Sequence, residues 1–228
     1  MSGPCPGWEY ESPSHSHEST LLPRVESLIT AMYATNFDSL KAMRDTRPAH
    51  RQMFTGLTPP LNPKYAGNYR GSTVDPCLED KKVWIPADPM VGSLPKDVAT
   101  HMQELSSVMA EAIVELDGKY NKMALDEFSN HLIVLGCISL ELFLRIHPYV
   151  NGNGHIGRYI LTVMFKRYGF RFTDAYPIDP KPMDRHRYSN CLSQHRRGVT
   201  DPLHTYIAEC IDRSPGPARV NPALLGAA

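Results

Sequence analysis

Most of the chain carries apolar residues at three- and four-residue steps, the spacing that places side chains on one face of an α-helix. The first such stripe comprises Leu21, Leu22, Val25, Leu28, Ile29 and Met32. Further helices are predicted over about 96–116, over about 124–146, from the glycines near 154 to Tyr168-Gly169, over about 180–196 and over about 201–212. The pattern predicts an all-α fold, a helical bundle.

Prolines and glycines interrupt this pattern over roughly 56–95 and forbid a long helix there. Within that region Lys82-Val-Trp-Ile85 is a short β-prone run. Tyr69–Val74 is its expected partner across a long turn, which predicts a small β-hairpin on the helical body.

The helix predicted over 124–146 is apolar around most of its circumference, which indicates a central and largely buried helix. It should end at His147-Pro148, because proline disfavours helical geometry for the residue before it. Glu141 and Arg145 interrupt its most apolar stretch, which we expect to be too short to cross a bilayer.

The two ends of the chain are rich in Gly, Pro, Ser or His and show no periodicity. We expect a flexible N-terminal segment over 1–18, one domain over 19–213 and a flexible tail over 214–228. A total of 228 residues suits one domain of ordinary core size.

Charge and cysteine content limit the binding partners and the cellular compartment that we expect for the protein. The formal net charge is zero, so no overall basic field favours a nucleic acid or an anionic membrane as partner. The five cysteines are scattered and odd in number, which predicts reduced thiols in a cytosol-like compartment. The start of the chain has no basic and apolar leader pattern, so we expect a cytoplasmic protein, or one delivered into a host cytosol as an effector.

Between the two central helices lies Asn151-Gly-Asn-Gly154, which has the physical properties of a phosphate site. Its glycines permit positive φ and close backbone approach. The free amides at the start of the next helix supply donors and a partial positive charge. Taken alone, however, an Asn-Gly pair usually means a turn.

Two side chains flank the Asn151–Gly154 segment, the elbow between the two helices. Arg158 lies four residues beyond Gly154 on the same helical face, so its guanidinium can reach back toward a bound phosphate. His147 stands at the other end and could accept a proton from an attacking hydroxyl near neutral pH. A histidine before proline is, by position alone, more often a cap or a satisfied polar group. Base, phosphate nest and arginine together are a much less ordinary combination.

The run from His147 to Arg158, HPYVNGNGHIGR, resembles the signature of the Fic family, His-Pro-Phe-x-Asp/Glu-Gly-Asn-Gly-Arg-x-x-Arg. Ala66–Arg70 with Val83–Ile85 resembles the approach to that family's flap hairpin. Asp184–Tyr188 resembles the later helix that helps enclose the base. The resemblance covers about residues 40–200.

This resemblance implies an all-α fold with a small β-hairpin flap, and a protein adenylyltransferase that moves AMP from ATP to a Ser, Thr or Tyr hydroxyl of a target protein, using Mg²⁺. His147 would be the general base, and Asn151 would stand at the metal position. The nucleotide-binding residues implied are Gly152, Asn153, Gly154, His155, Arg158 and Tyr188. The flap that docks the target would contain Val83, Trp84 and Ile85, pairing by strand addition.

Two residues depart from the family pattern. Asn151 replaces the acidic residue, which should weaken magnesium capture, since Mg²⁺ prefers carboxylate oxygens. His155 replaces the first arginine and is at most partly charged at neutral pH. A transferase of another phosphate-linked group and a non-catalytic module that binds nucleotide or protein therefore stay open as alternatives.

Many family members carry an inhibitory helix with a Ser/Thr-x-x-x-Glu-Gly/Asn motif. The nearest matches here are Ser14–Ser19 and Thr205–Cys210, and neither has the final Gly or Asn. A separate inhibitory protein is the other possibility for a partner.

Overall fold

A computed structural model describes residues 5–8, 18–83, 85, 88–179, 182 and 184–212 of the chain. The α-helices in these residues are α1 (Glu18–Met32), α2 (Ser39–Arg44), α3 (Arg47–Phe54), α4 (Pro76–Glu79), α5 (Val98–Lys119), α6 (Leu125–Ile146), α7 (Asn153–Arg167), α8 (Arg185–Arg196) and α9 (Asp201–Cys210). Short 3-10 turns cover Pro63–Tyr65 and Pro95–Asp97. The all-α prediction is confirmed.

Helix α6 lies at the centre of the fold and packs against α5, α7 and α9. Phe128, Leu132 and Cys137 on it are fully buried. The helix has 22 residues, so the expectation that it is too short to cross a bilayer is wrong by length and composition. Its burial against three neighbouring helices matches the predicted central helix, because a buried core helix can also be this long and apolar.

Glycines let α6 and α7 approach closely. A Cβ on Gly136 of α6 would lie 2.6 Å from a methyl carbon of Leu161 on α7. A Cβ on Gly157 of α7 would lie 2.9 Å from a methyl carbon of Leu140 on α6. Because each helix presents a glycine to a leucine of the other, the second half of α6 packs closely along α7.

The strands in the described residues lie elsewhere than predicted. β1 (Arg171–Phe172) pairs antiparallel with β2 (Ile211–Asp212), and these two-residue strands join the end of α7 to the end of α9. Tyr69–Val74 instead forms turns, with the Arg70 amide bonded to the Pro148 carbonyl, so its predicted pairing with 82–85 is wrong. Val83 and Ile85 lie in irregular backbone, and Trp84 lies outside the described residues.

Residues 5–8 are docked on the body of the protein, unlike the flexible segment predicted for 1–18. Cys5 and Cys77 form a disulfide, so the prediction of five reduced thiols is wrong for this pair. Trp8 is buried, and its Nε1 donates to the Leu57 carbonyl over 2.8 Å. Disulfides are typical of oxidising compartments, so the thiol argument for a cytosol-like location no longer holds for these two cysteines. The predicted tail over 214–228 lies outside the described residues.

Candidate active site

The elbow between α6 and α7 begins with an unusual backbone. His147 follows the last residue of α6 with φ 53° and ψ 60°, and it is the one non-glycine residue of the described chain at positive φ. Pro148 prevents the helix from continuing, and the His147 amide still bonds to the Phe143 carbonyl over 3.0 Å. The left-handed conformation costs an L-residue roughly 1–2 kcal/mol, and such strained residues cluster at functional sites.

The ring of His147 is held in its neutral form. Burial is the main cause that lowers its pKa to about 4, and the positive charges of Arg70 and Arg196 act in the same direction. A hydrogen bond with the Leu144 backbone opposes this change. At neutral pH the imidazole is therefore unprotonated and able to accept a proton, as the sequence-based role of general base requires.

The glycine nest, residues Gly152 to Gly154, lies at the start of α7. Gly152 is the N-cap at φ 78°, a conformation that glycine adopts without strain. A Cβ there would lie 2.4 Å from the ring of Phe54, so no larger residue fits. The first bond of the helix is donated by the Ile156 amide to the Gly152 carbonyl, so the amides of Asn153 and Gly154 precede the intrahelical ladder. Amides at the start of a helix are a typical site for an anion, and phosphate binding at these amides stays a prediction.

Arg158 reaches back to this nest, as its position on the helix predicts. Its side chain is buried, and Nε and Nη2 donate to the Ile178 carbonyl over 3.1 and 2.7 Å. Nη1 lies 3.3 Å from the point that a Cβ on Gly154 would occupy. The guanidinium is thus fixed by one carbonyl and directed by its third nitrogen at the start of α7.

Asn153 organises the loop through its side chain. Its Oδ1 accepts from the Tyr149 amide and its Nδ2 donates to the Tyr149 carbonyl, both over 2.9 Å. These two bonds use the amide group to close the turn that carries the nest. A contribution of Asn153 to phosphate binding would therefore come from its backbone amide, and it stays a prediction.

Thr46 and His50, which the sequence analysis did not single out, support the loop between α6 and α7. Thr46 immediately precedes α3, and His50 lies on α3. The Gly67 amide donates to Nδ1 of His50, so His50 Nε2 carries the proton that it donates to the Asn151 carbonyl over 3.0 Å. The His50 ring stacks on Tyr149 at 3.7 Å, and the Tyr149 hydroxyl bonds to Thr46 Oγ1 over 2.7 Å. His50 shares the buried face of α3 with Ala49, Met53 and Phe54, and that helical spacing was the available signal.

The two departures from the expected signature are both engaged with protein atoms. Asn151 Nδ2 donates to the Trp8 carbonyl over 2.7 Å, while its Oδ1 accepts from the Gly152 amide over 2.7 Å. His155 Nε2 donates to Asp179 Oδ1 over 2.8 Å, and the pair is largely buried. The structure thus gives each unusual residue a partner outside the signature, Trp8 for the first and Asp179 for the second.

The remaining predicted site residues occupy separate places. Tyr188 lies on α8 with its hydroxyl 3.2 Å from that of Tyr176, in a buried aromatic cluster. Burial raises the pKa of Tyr188, and the charge of Arg158 opposes this change. Glu209, in one of the two inhibitory matches, forms an ion pair with Arg187 over 2.6 Å rather than with Arg158. The side chain of Glu18, in the other match, lies outside the described residues.

Comparisons with known proteins find partial sequence similarity to Fic proteins. No family model matches the chain. It is 30% identical over 84 residues to the protein adenylyltransferase Fic of Nematostella vectensis, which is 37% of this chain and 18% of that protein. It is 25% identical over 87 residues to the protein of the same name in Aedes aegypti, 38% of this chain and 16% of that one. The chain therefore spans less than a fifth of these relatives.

A solved structure extends the similarity over the whole fold. The chain matches a crystal structure of BepC, a VirB-translocated Bartonella effector protein from Bartonella tribocorum with bound AMPPNP. The TM-score is 0.54 with 14% sequence identity, and the match covers 90% of each chain. The chain thus has the fold of that Fic-type structure, and part of its sequence is similar to the Fic adenylyltransferases.

The residues at the expected magnesium position are poor ligands for that ion. Asn151 holds the position of the family's acidic residue, but both ends of its amide are used by Trp8 and Gly152. Among the residues that the structure describes, no three His, Cys, Asp or Glu side chains group as a metal site. Because Mg²⁺ favours carboxylate oxygens, the Asn151 position does not fit the ion as the Fic signature would.

Proposed function

We propose that this protein transfers AMP from ATP to a Ser, Thr or Tyr hydroxyl of a target protein. The observation that carries the proposal is the pairing of a neutral base with an anion site across one elbow. His147 has a pKa lowered to about 4 chiefly by burial, and it closes α6 just before the glycine nest that opens α7. Arg158 adds a fixed positive charge to that nest.

The proposed step is an in-line displacement at the α-phosphorus of ATP. The hydroxyl oxygen of the target attacks phosphorus while the neutral ring of His147 takes the hydroxyl proton. The bond between the α-phosphorus and the bridging oxygen breaks, and pyrophosphate leaves with the electron pair. The amides that precede the α7 ladder and the Arg158 guanidinium would stabilise the negative charge on the phosphates, and no step is assigned to magnesium.

The target and the base of the nucleotide would lie on opposite sides of the elbow. Loop 81–93 is anchored beside His147, since the Gly92 and Ser93 amides donate to the Arg145 and Ile146 carbonyls. Its residues Val83, Trp84 and Ile85 would bind a target segment through the backbone. Tyr188 of α8 would help to enclose the nucleotide base.

A second candidate is a Fic module that binds nucleotide without transferring it. The observation that favours it is the engagement of both altered signature residues, Asn151 by Trp8 and His155 by Asp179. These contacts keep the phosphate nest and Arg158 intact while leaving the usual metal position without a carboxylate. Such a module would bind ATP and release it unchanged.

Two measurements separate these functions. Titration calorimetry of the protein with ATP, with and without Mg²⁺, tests for the anion site, and no heat in either case would refute both candidates. Intact and peptide mass spectrometry of a mixture of target proteins, incubated with the protein and with ATP or other nucleoside triphosphates, tests for transfer. An added adenylate supports the proposal, another added group names a different donor, and binding without any added mass supports the second candidate.

A further inference from the structure

Arg70 is a buried cation whose partners are backbone carbonyls. Its side chain is 1% exposed. Nε donates to the His147 carbonyl over 2.8 Å, and Nη2 donates to the Ile146 carbonyl over 3.1 Å. Nη1 donates to the Lys81 carbonyl over 3.0 Å, and both terminal nitrogens donate to the Ser93 carbonyl over 3.1 Å. One guanidinium therefore connects the end of α6 with both ends of loop 81–93.

No carboxylate in the described part of the chain forms an ion pair with Arg70. Burying an unpaired charge is costly, and desolvation lowers the Arg70 pKa to about 10. A neutral side chain could fill this volume at a smaller cost. The five N–H donors of the planar Arg70 guanidinium instead bond to carbonyls from three separate segments: residues 146–147, Lys81 and Ser93.

We propose that Arg70 is the positioning residue of this site, which fixes the strained backbone of His147 and holds Lys81 and Ser93, the two ends of loop 81–93, beside it. The proposal rests on the function proposed above. The left-handed turn at His147 directs the carbonyls of residues 146 and 147 away from the α6 ladder, and Arg70 satisfies both. By holding Lys81 and Ser93 with the same group, it ties the docking loop to the base.

The charge of Arg70 also reaches the ring of His147. Burial is the largest cause of the lowered His147 pKa, and Arg70 is the next. The other charged group that acts on this ring is Arg196 of α8, which itself pairs with Asp88 of the loop and with Glu141 of α6. Removal of the Arg70 charge alone should therefore raise the His147 pKa, while a lysine in its place should leave it low.

The test uses the full chain and three variants. Arg70→Lys keeps the charge but cannot form the fork, and Arg70→Gln removes the charge. Arg24→Lys is the matched control, because Arg24 also donates to two backbone carbonyls, those of Met53 and Thr55, far along the chain from the elbow. Each variant is assayed for folding by circular dichroism, for the His147 pKa by NMR titration, for ATP affinity by calorimetry and for the rate of transfer.

Both Arg70 variants should slow transfer by at least about tenfold while ATP affinity changes by less than about threefold, since alignment rather than anion binding is lost. Arg70→Gln should raise the His147 pKa by about one unit, and Arg70→Lys should not. Arg24→Lys should match the wild type in all assays. An unchanged transfer rate and an unchanged His147 pKa in both folded Arg70 variants would overturn the proposal. So would loss of folding in Arg70→Lys, which would make Arg70 a stability residue.

The NMR titration separates this proposal from the proposed function. If the wild type transfers nothing, the function fails, but the His147 pKa still reports on Arg70. A raised pKa in Arg70→Gln, with the Arg70→Lys value unchanged, then supports the positioning role. Equal values in all proteins refute it.

Discussion

The side-chain amide of Asn151 donates a hydrogen bond to the backbone carbonyl of Trp8 over 2.7 Å. The two residues are 143 positions apart, and the bond attaches the docked segment 5–8 to the signature loop. A carboxylate cannot make this bond, because an ionised Asp or Glu accepts hydrogen bonds and donates none. The amide that departs from the Fic signature is thus the residue that the docked segment requires.

Replacement of this amide should lower stability. Asn151→Asp should reduce the free energy of unfolding at neutral pH by about 1–3 kcal/mol, because the new carboxylate faces the Trp8 carbonyl without a proton to share. Urea denaturation measures the change. Asn68→Asp is the control, since Asn68 Nδ2 also donates to a backbone carbonyl, that of Lys64, but at an exposed place. Equal losses in the two variants would contradict the account of Asn151.

The disulfide between Cys5 and Cys77 should stabilise the fold. The bond spans 72 residues, and a loop of that length is worth up to about 4 kcal/mol through restriction of the unfolded chain. Cys5→Ser should lower the free energy of unfolding, as measured with guanidinium chloride. A reductant should lower the wild type to the level of the variant and leave the variant unchanged. A reductant effect on Cys5→Ser would show that another group is responsible.

Acid should destabilise the protein through His50. Burial lowers the His50 pKa to about 3, whereas the ordinary value is 6.5. As the pH falls from 6.5 toward 3, His50 binds a proton in the unfolded chain but not in the folded chain. The free energy of unfolding that is present above pH 6.5 is therefore progressively lost. His50→Gln should flatten the fall in unfolding free energy between about pH 7 and 5. The exposed His131 supplies the control, and His131→Gln should leave the slope unchanged.

Local pattern was enough to predict several features of the site. The three-to-four spacing located α5 to α9 to within a few residues, with the start of α8 the least accurate, and Pro148 located the end of α6. Arg158 reaches the nest because four residues separate it from Gly154 on one helix, a distance that helical geometry fixes.

The features that the sequence did not predict depend on distant contacts. The predicted pairing of 69–74 with 82–85 failed because the backbone amides of Arg70 and Gly71 donate to the Pro148 and Leu78 carbonyls rather than to a strand partner. Nothing near Cys5 or Trp8 in the sequence points to Cys77 or Asn151. Such partners become visible only when the whole chain is folded.

The most direct test of the central claim compares two histidines of this chain. His147 ends α6 at the elbow, and His131 lies exposed on the same helix. His147→Ala should reduce the rate of adenylate transfer to the target by about 100-fold or more, while ATP affinity changes little, because the base acts in the chemical step. His131→Ala should transfer at the rate of the wild type. Transfer that persists in His147→Ala at the wild-type rate would contradict the assignment of His147 as the base.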